Sequence, residues 1–350
     1  MLDEQRSESV PAAAVGSGAE VGTVGTQEAE LGVRRGIALG AGGVLGAAWE
    51  VGALCALSEV LGVDAREAEV LVGTSAGSVV AATLAAGVSA EQLRDFHLGL
   101  PLPEGLTVVW DHETGTGGAR PARPGRMPAS PALLARAVRH RGEVPWVTAL
   151  WAAAPRGRGS LAALRGAVDA MVGKGAWAPR PVWIPAVDFA TGERVVFGRE
   201  GAPQVSLGRA VEASCTAPLW FAPVRIDGRD YVDGGLRSAV SVDLFAGLGL
   251  DELYVVAPLA STQPDRPTGR LEKAERLWRR RVTRRVLAEA RAVAAGGTRV
   301  VLVTPGPQDL QAMGANLMDP ARRVRVLETS LRTTAAALRR QCLPATQEVA

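Results

Sequence analysis

Hydrophobic residues in the N-terminal part of the chain alternate between short apolar runs and longer helical patterns. An apolar run at 37–39 is followed by glycines and then by a helical pattern over 44–60. The run EVLVG at 69–73 precedes a second helical pattern over 78–86. A strand that leads through a tight turn into a helix, twice in succession, is typical of a parallel sheet covered by helices. The pattern therefore predicts an α/β fold.

The second half of the chain contains apolar runs that are separated by turn residues. PVWIPAVDFATGERVVFG predicts two strands joined by a turn at Thr191-Gly192. VRIDGRDYVDGGL predicts a hairpin with its turn at Asp227-Gly228. Two later buried strands, in DELYVVAPLA and GTRVVLVTP, are separated by a long basic helical segment. These later strands add to the predicted, mostly parallel sheet.

Three segments lack the composition of a packed core. Residues 1–33 contain six acidic residues, one arginine and no aromatic residue, so we predict a disordered N-terminal tail. Residues 110–130 are rich in Gly, Pro and Arg and are predicted to form a flexible loop or lid. Residues 339–350 are predicted to be a C-terminal tail, which leaves one domain at 34–338.

Composition argues against a nucleic-acid-binding protein, a disulfide-rich secreted protein and a membrane-spanning protein. The chain has 350 residues, of which 47% are hydrophobic, and this is enough for one large core. The net charge of +3 gives no reason to expect a nucleic-acid partner. Cys55, Cys215 and Cys342 show neither a disulfide framework nor metal-ligand spacing, so we expect a cytoplasmic protein without a metal. We expect neither a signal peptide nor an apolar stretch that spans a bilayer.

The first candidate for chemistry is a serine at a strand-to-helix turn. Residues 73–77 read GTSAG and match G-x-S-x-G, with Ser75 at the centre. In such an elbow the serine adopts a strained backbone conformation, and its hydroxyl is exposed near a helix N-terminus. A tight turn without chemistry is the alternative.

A glycine-rich loop, Gly40–Gly46, follows the first predicted strand and opens the first helix. Successive backbone amides at such a helix start can hold a phosphate or the oxyanion of an acyl-transfer intermediate. The third glycine comes one position later than a dinucleotide fingerprint requires, and Ala47 and Ala48 stand where a Walker loop has Lys and Ser/Thr. The phosphate interpretations are therefore weakened.

A nucleophilic Ser75 needs a nearby group that accepts its proton. No histidine follows His140, so the late histidine of an α/β-hydrolase triad is excluded. His97, His112 and His140 are expected to be surface residues. Asp233 is the best-placed carboxylate because it ends a predicted strand and two glycines follow it. The alternative for Asp233 is a second Asp-Gly hairpin turn.

Taken together, GAGGVLG, GTSAG and DGG resemble the three motifs of the patatin-like phospholipase family, in that family's order. ASCTAPLWFAPV at 213–224 is similar to the stretch that precedes the family's catalytic aspartate. The resemblance covers roughly 34–260 and implies a three-layer α/β/α fold with a mostly parallel central sheet. It assigns Gly73 and Gly77 to the nucleophile elbow, and Gly234 and Gly235 to the motif after the catalytic acid.

The resemblance also implies an activity and a mechanism. In such an enzyme Ser75 attacks an ester carbonyl, Asp233 accepts its proton, and the amides of Gly42, Gly43 and Val44 hold the oxyanion. Water then releases the fatty acid from an acyl-enzyme. The implied protein is a serine acyl hydrolase of the phospholipase A or lysophospholipase type. Its partner is a lipid ester, with peripheral contact to a membrane surface, and it needs no cofactor.

Two other functions stay open at this point. A Rossmann-type nucleotide-binding oxidoreductase would use Gly40–Gly46, although it gives no role to GTSAG or DGG. A non-catalytic lipid-binding scaffold would not need an intact serine and aspartate.

The basic helical segment also permits two interpretations. RLWRRRVTRR at 276–285 contains six arginines and no acidic residue. Trp278, Val282 and Val286 are spaced to form an apolar stripe at i, i+4 and i+8. The segment is either a helix that contacts anionic lipid or a solvated basic helix that is docked by that stripe.

Overall fold

The computed structural model describes residues 32–101, 125, 128–140, 146–263 and 265–342. The predicted tail at 1–33 lies outside these residues except for 32 and 33. Most of the predicted loop or lid at 110–130, and the last eight residues, also lie outside them.

Strands and helices alternate along most of the described chain. The strands are β1 Arg35–Leu39, β2 Val70–Gly73, β3 Val182–Asp188, β4 Arg194–Phe197, β5 Val224–Ile226, β6 Arg229–Asp233, β7 Glu252–Val256 and β8 Arg299–Val303. The helices are α1 Gly43–Leu61, α2 Ala76–Ala85, α3 Ala90–Leu98, α4 Pro131–Arg139, α5 Trp146–Ala153, α6 Ala162–Val172, α7 Leu207–Ser214, α8 Arg270–Ala294, α9 Pro307–Met313 and α10 Arg323–Cys342.

The strands form one mixed sheet in the order β5-β6-β3-β2-β1-β7-β8, with β4 paired to β3. Pairing is parallel from β3 through β2, β1 and β7 to β8. It is antiparallel where β3 meets β4 and β6, and in the β5–β6 hairpin. In this order β1 lies beside β2, so the loops that follow these two strands emerge at the same edge of the sheet.

Side chains of the central strands are buried on both faces of the sheet. Ile37, Leu39 and Leu71 join the core that contains α1, α2 and α10. Ala38 and Val72 point the other way, into a core that contains α8. Such period-2 alternation between two buried faces explains why the strands read as unbroken apolar runs. The fold is thus an α/β sandwich of helices around a mostly parallel sheet, as predicted.

Helix α1 is largely buried and packs against α10. Ser330 of α10 donates a hydrogen bond to the carbonyl of Trp49 at 2.6 Å. Among the described helices, α1 alone is long and apolar enough to cross a membrane, but 72% of that stretch is buried inside the fold. Glu50 and Glu59 interrupt this stretch, so it does not contradict the expectation that no uninterrupted apolar stretch is long enough, and the burial of α1 is that of a core helix.

Most boundaries agree with the sequence predictions within a few residues, and two differ in an informative way. Helix α2 begins at Ala76 rather than at 78, because the elbow leads directly into the helix. Helix α10 continues to Cys342, four residues beyond the predicted domain end at 338.

Candidate active site

Ser75 lies in the turn between β2 and α2 with a strained backbone. Its φ of 54° and ψ of −120° are rare for a residue with a side chain. The turn is possible because the glycines on either side of Ser75 have no side chains. A Cβ on Gly77 would lie 2.5 Å from the carbonyl of Leu39, and one on Gly73 would lie 2.3 Å from the carbonyl oxygen of Gly77. The two glycines of the predicted elbow are therefore required by space.

Side chains from two helices hold Ser75 in this conformation. Its N–H donates to Ser214 Oγ at 2.9 Å, and that hydroxyl in turn donates to the carbonyl of Pro185 at 2.7 Å. Its carbonyl accepts from Ser78 Oγ at 2.6 Å and from Cys215 Sγ at 3.1 Å. Burial raises the pKa of the Cys215 thiol, which keeps the donating S–H protonated. Both backbone groups of the strained residue are thus fixed.

The Ser75 hydroxyl donates to Asp233 Oδ2 at 2.6 Å, the distance of a charge-assisted hydrogen bond. Asp233 is the last residue of β6, opposite Ala186 of β3 in the sheet. Its Oδ1 accepts from the N–H of Gly235 at 2.7 Å. A Cβ on Gly234 would lie 2.4 Å from the carbonyl oxygen of Pro185, so the Asp-Gly-Gly turn needs this glycine. The structure thus brings together residues that are 158 positions apart in sequence.

Asp233 is 8% exposed, and its ionisation is affected accordingly. Burial raises the pKa of Asp233 to about 6, while the hydrogen bonds from Ser75 and Gly235 partly oppose that rise. A carboxylate with a pKa near 6 is a better proton acceptor at neutral pH than an ordinary aspartate. It is still mostly ionised at pH 7, so it is ready to take a proton.

Three consecutive residues of the glycine-rich loop line the same cavity and have backbone N–H groups without an acceptor in the described chain. Within the described part of the chain, the amides of Gly42, Gly43 and Val44 donate to no acceptor. Flanking bonds hold the loop: Ala41 N–H donates to Ala239, and Leu45 N–H donates to Leu317. Gly42, Gly43 and Val44 line the same cavity as Ser75 and Asp233. Amides that are fixed but unpaired are what an oxyanion requires.

Gly43 allows the loop to turn into α1. Its φ is +62°, a conformation that side-chain residues rarely adopt. A Cβ there would also lie 2.9 Å from Met318 Sδ and 3.0 Å from the carbonyl oxygen of Leu317. A residue with a side chain at this position would therefore strain the loop and press on Leu317 and Met318.

A cavity of about 480 Å³ opens beside the Ser75–Asp233 pair. Its walls are mainly apolar and come from several helices and the loops at 217–221 and 317–318. They include Val44, Val51, Val79, Val80, Leu93, Phe96, Leu164, Val168, Met171, Trp220, Phe221, Trp278, Leu317 and Met318. A volume of this size with few polar groups suits a hydrocarbon chain better than a polar cofactor.

A patatin-family model, described as patatin-like phospholipase, matches residues 37–246, which is more than half of the chain. The chain belongs to the patatin-like phospholipase family. The match includes the glycine-rich loop, the elbow and the Asp-Gly-Gly turn. It thus assigns Gly40–Gly46 to a hydrolase family rather than to a dinucleotide-binding one.

Two solved structures are similar to this patatin-like chain at low identity. VipD from Legionella pneumophila is 16% identical with a TM-score of 0.39, over 87% of this chain and 66% of VipD. The type III effector protein ExoU is 19% identical with a TM-score of 0.34, over 89% of this chain and 54% of ExoU. The chain thus spans about two thirds of the length of one protein and about half of the other.

Several residues of this patatin-like site were missed by sequence reasoning. The N–H of Ala76 also lacks a partner in the described chain, and it lies at the α2 N-terminus beside Ser75, so it is a further candidate oxyanion donor. Ser214 and Cys215 lie in the segment ASCTAP, whose only signal was its resemblance to the family. The surface prediction for His97 is wrong, because it is 7% exposed and lines the cavity. His140 is exposed as predicted, and His112 lies outside the described residues.

No metal site is evident in the described ranges. They contain no group of three or more His, Cys, Asp and Glu side chains that could hold an ion.

A second buried carboxyl, Glu50 of α1, supports the glycine-rich loop. Its Oε1 accepts from the N–H of Gly40 at 2.6 Å, and its Oε2 has no hydrogen-bond partner among the described residues. Glu50 is completely buried, and this burial raises its pKa well above the usual value. Burial thus favours the neutral form of Glu50, which can accept from the N–H of Gly40 without a buried charge.

Two substitutions at Glu50 distinguish the contribution of its hydrogen-bond acceptor and volume from the contribution of its ionisation. Glu50→Gln keeps the acceptor and cannot ionise, so it is expected to be at least as stable as the wild type at pH 6. Glu50→Ala removes the acceptor and leaves a cavity, and is expected to cost about 3 kcal/mol. Because the folded-state pKa of Glu50 is raised, wild-type stability should fall as pH rises from the unfolded pKa of this carboxyl through the folded one, and Glu50→Gln should lose this dependence.

Urea unfolding followed by tryptophan fluorescence at pH 6 and pH 9 measures both effects. A cost for Glu50→Gln as large as that for Glu50→Ala would contradict a neutral Glu50.

Proposed function

We propose that the chain is a serine acyl hydrolase of the phospholipase A or lysophospholipase type that cleaves fatty-acyl esters with a Ser75–Asp233 dyad. The observation that carries this proposal is the 2.6 Å hydrogen bond from Ser75 to Asp233 at the wall of a largely apolar cavity. Family membership supports the lipid class of substrate.

In the first half of the proposed reaction, Ser75 Oγ attacks the ester carbonyl carbon while its proton passes to Asp233 Oδ2. The negative charge that develops on the carbonyl oxygen is stabilised by the amides of Gly42, Gly43 and Val44. One such donor contributes about 10²–10³-fold in rate. Collapse of the tetrahedral intermediate expels the alcohol, which takes the proton from Asp233 and leaves an acyl group on Ser75.

In the second half, water attacks the acyl-enzyme. Asp233 accepts a proton from that water, and the same amides hold the second oxyanion. The Ser75–carbonyl bond then breaks, the serine regains its proton, and the fatty acid leaves. One carboxyl group thus serves both halves by accepting and returning a proton.

The cavity supports an acyl chain as the group held next to Ser75. Leu93, Phe96 and Val168 are apolar wall residues, and burial of each methylene of a chain against such walls contributes about 0.8 kcal/mol. An alcohol group of the substrate needs no such pocket. We therefore infer that the acyl part, rather than the head group, supplies most of the binding energy.

We also propose a cytoplasmic location with peripheral contact to a membrane. Cys55 and Cys215, the cysteines whose side chains the structure describes, are free thiols. A reducing compartment is consistent with that state. Peripheral contact follows from a substrate that resides in bilayers.

Covalent labelling tests the nucleophile. A fluorophosphonate probe is expected to attach to Ser75 in the wild-type protein, because the probe imitates the tetrahedral intermediate. Intact-mass and peptide analysis should find one adduct, and Ser75→Ala should take none. Labelling at another serine, or equal labelling of Ser75→Ala, would place the nucleophile elsewhere.

A further inference from the structure

Helix α8 exposes large apolar side chains near the active-site cavity. Leu271 is 78% exposed, Leu277 is 62% exposed and Trp278 is 45% exposed. Leu271 and Trp278 are seven residues apart, so they lie on one face of the helix. Of the stripe predicted from the sequence, Val286 is buried and Val282 packs against the core, but Trp278 is half-exposed. The stripe therefore docks α8 through its second half only.

Trp278 also lines the cavity that contains Ser75 and Asp233. A side chain that is both a cavity wall and exposed to solvent lies at the rim. A second cavity residue, Trp151 of α5, is adjacent to Leu150, which is 60% exposed. Exposed apolar residues thus occur beside two tryptophans of the cavity wall.

Basic side chains accompany the apolar ones. The exposed charged residues of α8 between 270 and 284 are all basic, namely Arg270, Lys273, Arg280, Arg281 and Arg284. The acidic residues of this stretch are less exposed and have local partners. Glu275 pairs with Arg276 and Arg279, and Glu272 accepts from Gly269 N–H. The exposed charged side chains of this stretch are therefore all positive.

The helix is firmly attached beside the glycine-rich loop. Arg279 is 2% exposed and donates to the carbonyl of Pro258. Pro258 packs against the loop, since a Cβ on Gly42 would lie 2.9 Å from its Cγ. The exposed face of α8 is thus held at a fixed position relative to the oxyanion donors.

We propose that the exposed face of α8 at 270–284 is a docking surface for bilayers that contain anionic phospholipid, and that it places the mouth of the cavity on the membrane. The proposal rests on the proposed function, because it explains how an acyl chain enters the cavity from a bilayer. Arginine and lysine attract the anionic headgroups, while Leu271, Leu277 and Trp278 enter the boundary between headgroups and acyl chains.

Charge complementarity and position favour this occupant over others. A nucleic acid would satisfy the arginines but would leave the leucines exposed to water. A second copy of this chain would bring like charges together on a symmetric face. A bilayer satisfies both kinds of side chain and is also the source of the proposed substrate.

Vesicle flotation with catalytically inactive Ser75→Ala protein tests the surface without hydrolysis. We expect this protein to bind vesicles of phosphatidylcholine with phosphatidylserine, and to bind pure phosphatidylcholine vesicles weakly. Arg280→Glu/Arg284→Glu reverses two exposed positive charges that have no ion-pair partner in the described chain. It is expected to lower the partition coefficient on anionic vesicles at least about 20-fold. Raising the salt concentration should weaken wild-type binding in the same direction.

Matched variants distinguish this surface from general charge. Arg325→Glu/Arg332→Glu reverses two exposed arginines on α10, which packs on the opposite side of the sheet, and it should bind as the parent does. Leu277→Ser should weaken binding to both kinds of vesicle. Neither arginine of α8 lines the cavity, so Arg280→Glu/Arg284→Glu with Ser75 intact should hydrolyse a soluble short-chain ester at the wild-type rate.

Three outcomes would overturn the proposal. Unchanged vesicle binding by Arg280→Glu/Arg284→Glu would exclude the surface, and an equal loss in the α10 variant would show a general charge effect. A dimer that Leu277→Ser converts to a monomer would assign the face to a second copy. Failure of the hydrolase proposal would appear separately, as an absence of ester hydrolysis in a wild-type protein that still binds vesicles.

Discussion

Replacing Ser75 with alanine is expected to lower kcat/KM for ester hydrolysis by at least about 10³-fold, because no other group can form the acyl-enzyme. The loss should extend across a panel of phospholipids, lysophospholipids, neutral lipids and soluble esters, since the nucleophile is common to all of them. The fold should persist, because only one oxygen is removed. Initial rates on the panel and circular dichroism measure the two parts of this prediction.

Ser241→Ala provides the matched control for this substitution. Ser241 is buried, has a positive φ of 58° as Ser75 has, and does not line the cavity. Its hydroxyl lacks a hydrogen-bond partner among the described residues, so its removal should leave both activity and stability near wild type. Full turnover by Ser75→Ala would end the dyad proposal. A similar loss in Ser241→Ala would show that disturbance of the fold, rather than chemistry, lowers the rate.

The parts of the site that sequence could predict are those with local causes. The elbow is marked by a five-residue pattern in which Gly73 and Gly77 leave space around Ser75. The hairpin before Asp233 follows from Asp227-Gly228, both of which have positive φ. Where a strand ends, and which residue stands at its end, can be read from apolar patterning. Ser75 and Asp233 could therefore be selected individually.

The contacts between distant segments were beyond reach of the same reasoning. Ser214 is 139 residues from the Ser75 amide that it accepts from, and nothing near Ser214 indicates this role. Glu50 interrupts the apolar pattern of α1 and would be expected at a surface, but its partner is the amide of Gly40. His97 is buried on α3, a helix that packs against α1, and its own neighbours in sequence do not indicate that contact.

Trp278 illustrates a third kind of limit. Its spacing with Val282 and Val286 predicts a buried stripe, yet in α8 only Val282 and the apolar residues after it pack into the core. Which part of a helix meets the core is a property of the assembled fold. Periodicity alone therefore could not predict that the Trp278 end of the stripe is exposed while the Val286 end is buried.

Asp233→Asn is expected to lower kcat/KM by about 10³-fold, because the amide keeps the shape of the carboxyl but cannot accept the Ser75 proton. The pH dependence of wild-type kcat/KM should report the ionisation of Asp233. The pKa of Asp233 is raised to about 6 by burial, so kcat/KM should fall about tenfold per pH unit below that value. Above pH 7 the rate should be level with respect to this group. Measurement of kcat/KM with a soluble ester between pH 4.5 and pH 8 tests both statements.

The same substitution is expected to stabilise the fold at neutral pH. The folded-state pKa of Asp233 lies above its unfolded value, so the folded protein binds more protons between about pH 4 and 6, and its stability falls as pH rises through that range. Above pH 6 the folded protein contains a buried carboxylate, which costs about 3 kcal/mol. Asparagine removes that cost while it can still accept from Gly235 N–H. Urea unfolding at pH 5 and pH 8 should therefore show a larger gain for Asp233→Asn at pH 8.

Activity and stability together decide the role of Asp233. An inactive Asp233→Asn protein that is less stable at both pH values would make this carboxylate a structural group of the Asp-Gly-Gly turn. An acid limb near pH 6 that persists in the residual activity of Asp233→Asn would assign the titration to another group. The dyad requires a loss of rate, a gain of stability at pH 8 and a loss of the acid limb in one variant, since all three arise from a single buried proton acceptor.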